Sequence, residues 1–250
     1  CKRVVKENVC PACGGSARGF EKQVVDLKQL VNDACERLNV SQPDLVKGVK
    51  GLTNETKTPE ILEKGILRAK HDLSVYKDGT IRFDATNAPL THFKPVEVGV
   101  AVEKLRELGY LYDHCGESLA QRNQICELKV QDIIIPRRCA DYFVQVASFV
   151  DELLEKVYGL KGYYSVQGVD DLVGHLVIGL APHTSVGILG RIIGFTDLSL
   201  CYAHPLWHSA KRRDCDGDED TMMLALDTIL NFSKVYLPAQ IGGIMDAPLF

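Results

Sequence analysis

The stretch Lys211-Arg212-Arg213-Asp214-Cys215-Asp216-Gly217-Asp218-Glu219-Asp220 constrains this chain more than any other. Three basic residues run straight into five carboxylates. Asp214, Asp216 and Asp218 are two apart, and in extended backbone that spacing sends their side chains to one face. Like charges so close repel each other unless a cation sits among them. Hard oxygen donors at this density suit Mg²⁺, which keeps waters and completes its shell from substrate phosphates. Gly217 permits a sharp turn or close approach of a ligand to the backbone. Lys211, Arg212 and Arg213 stand where they can hold phosphate. A calcium loop would need Gly at its sixth position and Glu at its twelfth. Counted from Asp214, those positions hold Glu219 and Ala225. The remaining alternative is a solvated acidic run, and the flanks argue against it. Leu198 to Ala203 is strand-like, and Met222, Met223, Leu226, Ile229 and Leu230 recur at helical spacing. The pattern predicts an acidic turn between a strand and a helix over 221–235, with Glu219 and Asp220 at the positive helix N-terminus.

Hydrophobic residues make up 46% of the 250, enough for the core of one large domain or two modest ones. The net charge of −4 excludes a global basic footprint for nucleic acid, so any such contact rests on local patches. No apolar run reaches the length of a membrane span and no signal peptide is visible. Nine cysteines, an odd number and mostly scattered, point to a reducing cytoplasm. The chain begins at Cys1 and ends at Phe250, which reads as an internal piece of a longer protein.

Cys10-Pro11-Ala12-Cys13-Gly14-Gly15 is half of a zinc knuckle. Cys1 is the one cysteine upstream; it is expected to close a second pair whose first member precedes this chain, so that zinc belongs to the parent protein and the site here is incomplete. The alternative is a pair of unliganded thiols. Residues 1–18 are therefore read as a partial zinc module, 19–57 as a helix (21–39) and linker, and 58–250 as the main domain, cut at its C-terminus. Within it, Thr58-Pro59-Glu60 opens a helix to Lys70. Asp78-Gly79 between 73–77 and 80–84 predicts a hairpin. Further helices are expected at 96–108, 140–158 and from Asp170, and a strand at 128–135. A Gly-rich apolar stretch runs from 179 to 194.

His183, in a Gly- and Pro-rich loop, either touches phosphate or caps a turn. His204 and His208 lie four apart, but Pro205 argues against a regular helix there and against a ligand pair. Lys64, Arg68, Lys70 and Arg82 form a basic cluster, either a solvated face or a track for a nucleic-acid backbone.

Long ordered blocks carry a resemblance over roughly residues 45–250. They include Gly174 to Ser185, Gly190 to Phe195, Ala203 to Pro205, Lys211 to Arg213, Cys215 to Asp220, Asn231 to Ser233, Tyr236 to Pro238, and Gly242-Gly243 with Met245 to Pro248. Upstream, Leu62 to His71, Asp78 to Thr80, Pro89 to Phe93 and Val102 to Gly109 continue it. In these blocks the chain resembles the large-subunit family of archaeal family D DNA polymerases. The resemblance implies an α+β fold: a double-psi β-barrel of the two-barrel polymerase type, with helical insertions. It implies that Asp216 and Asp218 are the catalytic metal ligands, and that lysines of the facing barrel lie upstream of Cys1. By itself, then, this piece would hold no complete active site. Asparagine usually precedes Cys-Asp-Gly-Asp in that family, whereas this chain has Asp214. The result has the spacing of the Asp-Phe-Asp-Gly-Asp loop of cellular RNA polymerases, so Asp214 is either a third ligand or an accessory acid.

The implied activity is DNA-directed nucleotidyl transfer with two Mg²⁺ ions. Implied partners are primer-template DNA, deoxynucleoside triphosphates, a small exonuclease subunit and a sliding clamp. Two other classes use the same residues: a metal-dependent nuclease with water as nucleophile, and a non-catalytic scaffold that binds DNA or a subunit.

Overall fold

Runs of β-branched residues broken by glycine along 176–203 form strands, and those strands close on themselves. A computed structural model describes residues 5–17, 24–49, 60–214, 216–237 and 245–247. Cys1, Thr58-Pro59, Cys215 and Pro238, all named above, lie outside the described residues, as do 21–23 and 242–243. In chain order the elements are α1 (Leu27–Leu38), α2 (Leu62–Lys70), β1 (Phe83–Pro89), β2 (His92–Phe93), α3 (Val102–Glu107), β3 (Cys126–Glu127), β4 (Asp132–Pro136), α4 (Arg137–Lys156), β5 (Leu176–Leu180), β6 (Gly187–Thr196), β7 (Leu200–Ala203), α5 (Pro205–Ala210), β8 (Glu219–Leu224) and α6 (Ala225–Asn231). Short 3₁₀ turns cover Val169–Leu172 and Lys234–Tyr236.

Six strands form a closed barrel in the order β1-β7-β4-β6-β5-β8, and β2 pairs with β3 in a separate ribbon. The pairs β1/β7 and β4/β6 are parallel, the other barrel pairs antiparallel. The chain is thus an α+β protein built round a barrel. Ile133, Val177, Ile192, Ile193, Met222 and Leu224 are wholly buried in its core. β5 lacks a side chain at Gly179 for a packing reason: a Cβ there would sit 2.5 Å from the Trp207 ring.

Helix α4 lies outside the barrel, as expected, and buries Phe143, Val146, Ala147, Val150 and Leu154 from one stripe. Each large apolar side chain so buried contributes roughly 1.5–3 kcal/mol. Gly159, at φ +65, follows the helix end. α1 starts later than expected: Asp26 caps it by accepting from the Gln29 amide at 3.0 Å. α3 covers only the second half of 96–108, and the strand over 128–135 is confined to β4.

Three expectations are corrected. The Asp78-Gly79 turn exists, with the Tyr76 amide donating to the Thr80 carbonyl at 2.8 Å, but 73–77 and 80–82 are not strands and no hairpin forms. Beyond that turn the bonding goes outward: the Ile81 amide donates to Asp227 of α6 at 2.9 Å and the Asp78 carbonyl accepts from the Ser233 amide at 2.9 Å, so no ladder extends. Second, 221–235 is not one helix. Glu219–Leu224 is β8, which joins β1 to β5 and closes the barrel. A buried apolar run has no period to separate helix from strand, and barrel closure decides it. Third, the basic cluster is not a solvated face. Arg68 is fully buried and forks onto Glu60 at 2.7 and 2.8 Å. Arg82 grips Asp78 at 2.6 Å and stacks 3.7 Å above the Tyr76 ring. Lys64 is buried, and Lys70 pairs with Glu152.

Candidate metal and phosphate site at the barrel end

β7 leaves the barrel at Ala203 and the chain enters α5, so Pro205 starts a helix here. The residue occupies the first turn, where its missing N–H costs nothing. His204 is the cap: its Nδ1 accepts from the Leu206 amide at 3.2 Å. His208, one turn on, is buried, so the pair does not converge on an ion. Its Nε2 lies 3.1 Å from the Ala88 carbonyl and its Nδ1 3.7 Å from Asp220.

The basic triplet splits three ways. Lys211 turns inward: it is buried, salt-bridged to Asp220, and its ammonium stands 3.6 Å from the Trp207 ring. Arg212 is exposed, on left-handed backbone at φ +63. Arg213 lies between, 3.1 Å from Asp218 Oδ2 and 3.5 Å from Asp220 Oδ1. Burial lowers the pKa of the Lys211 ammonium against the pull of Asp220. Burial would raise the Asp220 carboxyl, but the neighbouring His208 imidazole and the Lys211 ammonium overcome it and hold it below the usual range. Asp220 therefore stays ionised inside the barrel end. It was read from sequence as a helix-end acid, and it is instead the anchor of the loop.

Asn87 of β1 is a second anchor. Its backbone amide donates to the Asp218 carbonyl at 2.8 Å, and its buried side-chain amide reaches Asp220 at 3.5 Å. Sequence reasoning passed over Asn87 and Trp207. The available signals were an amide inside a strand and the chain's single tryptophan.

The acids between these anchors face outward. Asp214 and Asp216 are exposed, and neither has a hydrogen bond or ion pair among the described residues. Asp218 is partly covered by Arg213. Gly217, at φ +95, makes the turn that separates Asp216 from Asp218. The carboxylates of Asp214, Asp216 and Asp218 are not gathered to within 4.8 Å of one another. As hard oxygen donors with open lone pairs they suit Mg²⁺.

His183 is brought to the same place. Its backbone, at φ +62, donates to Asp246 while its ring stays exposed. Together with Thr184, Ser185, Lys211, Arg212 and Met245 it lines a cleft of about 320 Å³. At the N-terminal cysteine pair the chain makes a turn: the Cys10 amide donates to the Gly15 carbonyl at 2.8 Å, and the Gly14 amide to the Cys10 carbonyl at 2.9 Å. Backbone hydrogen bonds from Ala12 and Cys13 lower the Cys10 thiol pKa, which favours the thiolate that metals bind. No helix among the described residues is long and apolar enough to cross a membrane.

The chain is similar to known proteins along most of its length. Residues 39–250 match the family model described as "DNA polymerase II large subunit DP2, catalytic domain". The chain is 56% identical over 250 residues to the DNA polymerase II large subunit of Archaeoglobus fulgidus, spanning all of this chain and 22% of that protein. Against the subunit of the same name from Methanothermobacter thermautotrophicus it is 56% identical over 251 residues, 23% of that protein. Against that of Pyrococcus furiosus it is 57% identical over 240 residues, 96% of this chain and 19% of that protein. The chain thus spans only about a fifth of the length of these relatives.

Proposed function

The chain belongs to the DNA polymerase II large-subunit catalytic-domain family, and from that premise we propose that it carries the metal-holding part of a DNA-directed nucleotidyl-transfer centre. The observation that carries the reading is a loop whose two ends are tied down while its acids stay open. Lys211, Asp220 and Asn87 fix the ends; Asp214 and Asp216 have no hydrogen bond or ion pair among the described residues. We read the barrel, with its two parallel pairs, as a double-psi barrel.

Asp216 and Asp218 are the assigned ligands of two Mg²⁺ ions, with Asp214 accessory. Bound Mg²⁺ supplies charge to the triphosphate and leaving pyrophosphate and activates the primer 3′-hydroxyl. Asp218 would hold an ion through its carboxylate beside Arg213, which contacts only Oδ2, and Arg213 would stand next to the ion's phosphate ligands. Arg212 and His183, which line one cleft, are the outer phosphate contacts. Lys211 is reassigned: buried against Asp220, it positions the loop and does not touch substrate. In the complete protein the partners are primer-template DNA, deoxynucleoside triphosphates, a small exonuclease subunit and a sliding clamp, in the cytoplasm. Cys10 and Cys13, with Cys1 outside the described residues, hold zinc in the parent.

Primer extension by the full-length large subunit with its small subunit tests this. Asp216→Ala or Asp218→Ala should abolish extension while primer-template binding persists, because removing a carboxylate takes away the charge that holds the ion. Asp214→Asn should keep most activity and shift the Mg²⁺ requirement. Near-normal extension by Asp216→Ala at saturating Mg²⁺ overturns the ligand assignment. DNA degradation without incorporation identifies a nuclease, and DNA binding with neither activity identifies a scaffold.

A further inference from the structure

Away from the barrel end, the loop 111–119 packs beside the β2/β3 ribbon. It is closed by a bridge between Tyr112 and Ser118 and by the Leu119 amide donating to the Leu111 carbonyl at 2.9 Å. The His114 amide ties it to the ribbon through the Ile125 carbonyl at 2.8 Å. On this frame one ligand atom each of Asp113, His114 and Cys115 falls within 4.8 Å of the others, the only such group of three among the described residues. Cys115 Sγ is 3.4 Å from His114 Nε2. Two ligands on a tetrahedral zinc, at bond lengths of about 2.3 Å to sulfur and about 2.0–2.1 Å to nitrogen, stand about 3.6 Å apart. A fourth donor stands just outside that group: the His92 ring lies edge-on to His114 with centroids 6.4 Å apart. Its Nδ1 is engaged by Thr91 Oγ1 at 3.0 Å, which leaves Nε2 available, the arrangement typical of metal-bound imidazole.

From this juxtaposition we propose a zinc site on the surface of the insertion, formed by His92, Asp113, His114 and Cys115, which staples loop 111–119 to β2. It is separate from the Cys10/Cys13 knuckle and from the acidic loop. The competing explanation is local: Asp113 Oδ1 accepts from the Cys115 and Glu117 amides at 3.0 and 2.9 Å, and Oδ2 from Gln124 at 3.1 Å, as an ordinary Asx turn does. That accounts for Asp113 but not for an exposed thiol and an imidazole gathered within 4.8 Å of its carboxylate, with a second imidazole beside them. A carboxylate offers about four lone-pair positions, so Oδ2 can hold an ion and keep Gln124.

Alkylation of Cys115 in the intact wild-type chain tests the site without relying on a variant that must fold. Zn²⁺ should slow maleimide labelling of Cys115, read by peptide mapping, by about tenfold or more, because a metal-bound thiolate is withheld from the reagent. His114→Gln and His92→Gln should abolish the protection, and Co²⁺ should give a thiolate charge-transfer band that Cys115→Ser removes. Unchanged labelling of Cys115 in saturating Zn²⁺ overturns the proposal and leaves the Asx turn as the whole explanation. Protection that survives His114→Gln overturns the ligand set.

Discussion

Two parts of this molecule are dense in charge, and they use it in opposite ways. Between α2, the 76–82 turn and α6, every charge is paired or hydrogen-bonded. Arg68 is enclosed by Glu60 and by the Gly79 carbonyl at 3.1 Å, Asp78 holds Arg82 and the Thr80 amide, and the buried Asp227 takes the Ile81 amide and Asn231. At the barrel end the pairing stops halfway. Lys211 and Asp220 neutralise each other inside, while Asp214 and Asp216, a few residues away, are exposed and have no partner among the described residues. Charge that is consumed holds a fold together. Charge left open beside a rigid anchor can be spent on a ligand. The contrast supports the proposed role of the acidic loop more than the acid count does.

Breaking the first region should cost the most. Arg68→Leu leaves Glu60 buried without its cation, and denaturant unfolding should show a loss of about 3–5 kcal/mol. The double change Arg68→Leu with Glu60→Leu should recover much of it, since an apolar pair carries no desolvation debt. If Arg68→Leu is neutral, the region is not the structural one.

Next comes the pH dependence of Asp227. Burial raises its carboxyl to about 6, against hydrogen bonds from Ile81 and Asn231. An acid whose folded pKa is raised contributes stability that is fully present below its unfolded pKa and is lost as pH rises through about 6. Wild type should therefore gain on the order of 2–3 kcal/mol relative to Asp227→Asn between pH 7 and pH 4. Parallel unfolding curves for the two proteins would refute it. Glu152 runs the other way. Burial opposes it, but Lys70, His71 and Lys156 hold its carboxyl at about 2, so its contribution is lost only as pH falls through that value.

Lys211→Met tests the boundary between the regions. Asp220 keeps His208 and Arg213 nearby, so the expected loss is smaller, about 1–3 kcal/mol. In the complete polymerase the variant should also raise the Mg²⁺ needed for extension, because the loop is no longer held. Stability loss with an unchanged Mg²⁺ requirement would make Lys211 a purely structural residue.

The smallest effect is expected at Arg212. Its left-handed backbone suits glycine, so Arg212→Gly should move stability by less than about 1 kcal/mol. The triphosphate KM should rise in the complete polymerase. An unchanged KM would remove Arg212 from the phosphate contacts.

The sequence by itself determined what depends on local order. It was sufficient for the stripe of α4, the stops at Gly109 and Gly159, the strands around 176–203 and the turn at Gly217 in the acidic loop. Each of these rests on a spacing of a few residues or on one backbone conformation. Tertiary structure alone decided the rest, because the partners come from far along the chain. Met222 and Met223 are strand and not helix because β1 and β5, more than forty residues upstream, need a sixth strand to close the barrel. Arg68 and Lys211 read as surface cations until Glu60 and Asp220 are brought against them in a dry interior. There the Coulomb attraction is no longer screened, and neither charge can be left unpaired.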